Sequence, residues 1–107
     1  MKERRRAIRV PVEMVLDVMK QNEIIESYRA AGVNLSLRGI CIETVGDFKK
    51  SEKVLLKLNI PIDILGEIVW CKTDGQLKRY GVKFLKLGFI NKISLKKYIK
   101  AIIVNKK

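Results

Sequence analysis

Apolar and polar residues alternate through most of the chain, the period of a strand with one buried face. Between Val10 and Val18 the positions Val10, Val12, Met14, Leu16 and Val18 share a face, which predicts a first strand. Asn22-Glu23 has turn chemistry, and Ile24 to Val33 is predicted to return as a second strand. It leads into Asn34-Leu35-Ser36-Leu37-Arg38-Gly39, where the alternation breaks. A third strand fits Gly39 to Val45, the polar run Gly46 to Ser51 reads as a loop, and a fourth strand fits Val54 to Leu58. Pro61 interrupts the next apolar run, which then sets Ile62, Ile64, Gly66, Ile68 and Trp70 on one face, so Trp70 is assigned to the core. Lys72-Thr73-Asp74-Gly75 signals a turn before a last strand carrying Tyr80, Val82 and Phe84.

After Gly88 the period changes. Leu95, Tyr98, Ile99, Ile102 and Ile103 follow helical spacing, with Lys96, Lys97 and Lys100 on the other side. Six short strands and one helix predict a mainly β fold: a six-stranded antiparallel barrel, closed or nearly so, with the C-terminal α-helix laid against it. At 107 residues the chain fits one domain, divided into an arginine-rich arm (1–9), a barrel (10–85) and a helix (89–104). No apolar run is long enough for a spanning helix and no apolar leader follows Met1 to Arg6, so a soluble, cytoplasmic protein is expected. Cys41 and Cys71 fall inside apolar strand-like runs and are read as reduced core cysteines.

Charge adds a partner class. Lys and Arg number 23 against 11 Asp and Glu, a formal net charge of +12, which implies an anionic partner. The chain has no histidine, and so lacks the commonest general base and the commonest metal ligand. Its acidic residues show no metal-ligand spacing, and neither a phosphate loop of the G-x-x-x-x-G-K-[ST] type nor a G-x-S-x-G nucleophile turn is present. Catalysis, metal and cofactor are all disfavoured.

Two clusters remain. In Arg4-Arg5-Arg6-Ala7-Ile8-Arg9 the guanidinium forks suit phosphate oxygens and the guanine O6/N7 edge, as lysine would not. Alone, the cluster reads as a solvated basic arm ahead of a directed binding element. Asn34-x-Ser36-x-x-Gly39 offers an amide, a hydroxyl and close backbone approach, and alone reads as an ordinary turn ahead of a ligand site.

Together the two clusters resemble the PilZ domain family, whose members bind cyclic di-GMP through R-x-x-x-R, often with a preceding arginine, and a later [DN]-x-S-x-x-G. Arg5 and Arg9 match the first motif, Arg4 the preceding arginine, and Asn34, Ser36 and Gly39 the second, in the family's order. Gly66-Glu67-Ile68-Val69-Trp70 and Tyr80-Gly81-Val82-Lys83-Phe84 look like the family's paired late strands, so the resemblance covers almost the whole chain. It implies a bacterial cyclic di-GMP receptor with no cofactor, binding its ligand through Arg4, Arg5, Arg9, Asn34, Ser36 and Gly39. The arm would close over the barrel and signal to an effector protein that the sequence does not identify. Asn34 brings no negative charge where the family also allows Asp, and Arg6 and Arg38 match no motif letter. Two rivals stay open: a non-specific single-stranded nucleic-acid barrel, disfavoured by the scarcity of exposed aromatics, and an interaction adaptor that binds no nucleotide.

Overall fold

The alternating segments close on a single apolar interior. In a computed structural model, which describes residues 9–21, 26–60 and 62–105, the elements are β1 (Val10–Lys20), β2 (Ser27–Leu35), β3 (Gly39–Thr44), β4 (Lys53–Leu58), β5 (Ile62–Asp74), β6 (Leu77–Lys86) and α1 (Phe89–Asn105). The strands form a closed barrel in the order β1-β2-β3-β6-β5-β4, with every neighbour antiparallel. Closure pairs β1 with β4 through Leu16 to Lys20, so no strand lies at the end of an open sheet. The hairpin turn expected at Asn22-Glu23, the first residues of the expected second strand and the break at Pro61 lie outside the described residues.

Val18, Leu35, Ile42, Val54, Leu56, Ile68 and Tyr80 are fully buried in the barrel, each aliphatic one worth about 1.5–3 kcal/mol of transfer free energy. Tyr80 also fastens the loop after β3. Its hydroxyl donates to the Gly46 carbonyl at 2.9 Å and accepts the Phe48 N–H at 3.0 Å, while the Phe48 ring meets Tyr28 and Tyr80 edge-on. α1 caps the barrel through Leu95 and Ile99, with Tyr98 and Ile102 packed beside them.

Four expectations are corrected. The strand period would put Trp70 inside, yet it is 43% exposed. Between Ile68 and Trp70 the β5–β6 register slips by one residue, so two positions of β5 face one of β6 and the faces exchange. Cys71 is exposed while Cys41 is buried, because the β4–β5 pairing stops at Glu67 and β5 continues past the barrel against β6 alone. For the same reason Lys72 and Thr73 remain in the strand, and the hairpin turns one step later, at Gly75 with φ +67°. Ile103 lies outward among the lysines, 39% exposed, and not against the barrel.

Candidate functional site

The turn between β2 and β3 is built around one hydroxyl. Ser36 is 5% exposed, and its Oγ accepts the N–H of Arg38 at 3.0 Å and of Gly39 at 3.3 Å. The Ser36 N–H donates to the Gly39 carbonyl at 2.9 Å, and the Arg38 carbonyl accepts the Phe84 N–H at 2.8 Å, which ties the turn to β6. A serine suits this position because its short side chain satisfies backbone donors that no strand partner reaches. Gly39 is fixed by close approach: a Cβ there would sit 2.3 Å from the Val82 carbonyl oxygen, which is backbone and cannot step aside.

Beside this turn lies a cleft of about 180 Å³, walled by Arg9, Ser36, Arg38, Trp70 and Lys83, with Gly39 and Gly81 also in its lining. The indole lies flat on Gly81, where a Cβ would come within 2.1 Å of Nε1. Glycine at that point of β6 and the register slip in β5 together let Trp70 present a ring face beside the cleft. Burial pushes the Cys41 thiol above its usual range, with Arg79 and Arg9 acting in the other direction and Glu43 adding to the rise.

The cleft's electrostatics follow from where the carboxylates go. Asp17 pairs with Arg29 at 2.8 Å, Glu43 with Arg79, Asp47 with Lys78, and Glu26 and Glu52 both lie 3.8 Å from Lys20. None reaches the cleft. Its lining holds three cations and no carboxylate, and Arg9, Arg38 and Lys83 form no ion pair among the described residues. Such a site can hold phosphate oxygens by charge-assisted hydrogen bonds and a flat ring against the indole. No group of His, Cys, Asp or Glu able to hold a metal occurs among the described residues, and no described helix is long and apolar enough to cross a membrane.

Of the residues expected from sequence, Arg9, Ser36 and Gly39 converge on this cleft. Asn34 sits on β2, half-buried at a register slip, paired with Pro11 and Cys41 and outside the cleft lining. Arg4 and Arg5 lie outside the described residues. Three wall residues were not assigned from sequence: Arg38, which matches no motif letter, Lys83, and Trp70. The signal that could have found Trp70 is Gly81, a lone glycine inside an alternating strand, which marks a bulge or a close approach. A larger groove along α1 is mainly apolar and does not meet this chemistry.

A closed six-stranded barrel with one capping helix and a cation-walled cleft at the β2–β3 turn defines a small binding module. The family model of the PilZ domain matches residues 3–101, and the chain belongs to that family. Among solved structures, it is similar to the PilZ domain with c-di-GMP of YcgR from Escherichia coli, at 14% identity and a TM-score of 0.78, covering 97% of this chain and 95% of that one. It is also similar to YcgR in complex with c-di-GMP from Escherichia coli, at 13% identity and TM-score 0.75, covering 96% of this chain and 47% of that one. The Bacillus subtilis inhibitor of motility MotI/DgrA gives 22% identity and TM-score 0.80, with 98% of this chain and 54% of that one covered. The chain thus spans about half the length of the latter two. No protein of curated function matches it significantly in sequence.

Proposed function

We propose that this chain is a cyclic di-GMP receptor that binds its ligand at the cleft beside the Ser36–Gly39 turn. The observation that carries the reading is the convergence on the Ser36–Gly39 turn of three cations that form no ion pair among the described residues and of the exposed Trp70 indole. Support also comes from the neighbouring YcgR structures, which contain c-di-GMP. Arg9, Arg38 and Lys83 hold phosphate oxygens or the guanine O6/N7 edge, and a guanine lies against Trp70. Ser36 shapes the turn that carries Arg38, while Asn34 supports it from β2. The cleft of about 180 Å³ is smaller than a whole dinucleotide needs, so the ligand extends beyond it, and Arg4 and Arg5, which match the family's arginine motif, supply further contacts.

No bond is made or broken. Closing the arm over the ligand changes what the N terminus presents, and an effector protein in the cytoplasm reads that change. Calorimetric titration with cyclic di-GMP, GTP and cyclic di-AMP tests the reading. Saturable heat for cyclic di-GMP alone, strongly weakened in Arg9→Ala, is expected. Absence of heat from the folded protein refutes it, and binding of all three with a steep salt dependence points instead to general polyanion binding.

A further inference from the structure

α1 has more apolar surface than the barrel uses. Its sequence contains no acidic residue, and its charges are Lys92, Lys96, Lys97 and Lys100. Leu95 and Ile99 face the barrel, yet Ile93 is 40% exposed, Val104 62% and Phe89 79%. A helix apolar on both sides belongs between two partners, and the barrel is only one of them. Between the helix and the β2–β3 turn runs a groove of about 500 Å³ whose apolar lining is Leu37, Ile93, Ile99 and Ile103. Lys96, Lys97 and Lys100 also line it, no carboxylate does, and none of the three has an ion pair among the described residues.

We propose that this groove docks an acidic amphipathic helix of a partner protein, and that the nucleotide governs the docking through Leu37. An apolar row at helical spacing fills the groove while flanking carboxylates meet the three lysines. A second copy of this chain would set lysine against lysine under a net charge of +12 each. A bilayer is a poorer occupant of the groove itself, because Leu37, Ile93, Ile99 and Ile103 line a recess and the protruding Phe89 and Val104 lie outside that lining. At 17 residues α1 is about 25 Å long, enough for a partner helix of similar length.

The regulatory half rests on the proposed nucleotide site. Leu37 lies between Ser36 and Arg38, which wall the cleft, so one short turn serves both surfaces. Ligand that pulls on Arg38 shifts the turn and with it Leu37, one wall of the groove, and the coupling is reciprocal.

Selection of a displayed random-peptide library on the full chain saturated with cyclic di-GMP tests the proposal. Acidic peptides with aliphatic residues at helical spacing are expected to be enriched. A fluorescein-labelled consensus peptide, followed by anisotropy, should bind at least about tenfold more weakly to Ile93→Asp and to Lys96→Glu/Lys100→Glu. Both variants should keep the wild-type nucleotide titration, which shows that they fold. Cyclic di-GMP should tighten the peptide by about threefold or more, and Leu37→Ala should erase that difference. No enrichment, or peptides indifferent to these variants, overturns the docking site. Binding to vesicles of equal parts phosphatidylcholine and phosphatidylglycerol that the same variants abolish, without peptide binding, overturns it in favour of membrane. Peptide binding that ignores cyclic di-GMP overturns the coupling, provided calorimetry shows the nucleotide bound. If calorimetry shows no nucleotide binding, the receptor reading fails and the peptide arm, run without nucleotide, still decides the docking site.

Discussion

Replacing Ser36 by alanine removes the one acceptor that two backbone N–H groups share, those of Arg38 at 3.0 Å and Gly39 at 3.3 Å. Each such bond contributes about 1 kcal/mol net, and the donors are partly buried, so the loss comes to about 2 kcal/mol. Unfolding entropy for 107 residues is about 0.2 kcal/mol/K, which turns that loss into a Tm lower by roughly 9 °C. Differential scanning calorimetry reads it directly. The same turn carries Arg38, so a turn loosened by 2 kcal/mol should weaken cyclic di-GMP by as much as about thirtyfold. A Tm within about 2 °C of wild type, alongside a large loss of affinity, would refute this reasoning: the hydroxyl would then act on the ligand and not on the turn.

Gly81→Ala forces a methyl into the space of the Trp70 indole, so nucleotide affinity should fall while circular dichroism still reports a folded barrel; unchanged affinity would separate Trp70 from the site. Tyr80→Phe leaves the Gly46 carbonyl and the Phe48 N–H without their buried partner and should lower stability by about 2–4 kcal/mol in urea titration, with small effect on the nucleotide. Cys41 and Cys71 should differ in reactivity, with Cys71 modified at once by a thiol reagent in the native protein and Cys41 only on unfolding. Burial raises the Cys41 pKa, so the folded state keeps a proton that the unfolded chain gives up. Cys41 therefore lowers stability as pH rises past the unfolded thiol's pKa of about 8.5, and Cys41→Ala should flatten that part of the stability–pH curve.

The barrel was legible because strand period is a local property. Val10, Val12, Met14, Leu16 and Val18 fall at alternate positions, as do Val54, Leu56 and Leu58, and both segments became strands with those positions turned to the interior. Trp70 broke the rule because its orientation depends on the β5–β6 register, a pairing between segments that no local pattern encodes. Cys71 was misplaced because burial there depends on where β4 ends. Ile103 was misassigned because α1 is apolar on both sides, so spacing alone could not choose its inner face. At the candidate site, motif spacing picked out Arg9, Ser36 and Gly39, which line the cleft. It did not pick out Arg38 and Lys83, since an exposed cation looks the same in sequence whether it faces a cleft or bulk water.

Trp70 is the chain's one tryptophan, so its fluorescence reports on the wall of the proposed site without a label. Titration with cyclic di-GMP should change that emission saturably, with the same midpoint as calorimetry and a strongly shifted midpoint in Arg9→Ala. Emission that stays unchanged while calorimetry registers binding would place the ligand elsewhere on the barrel and contradict the account.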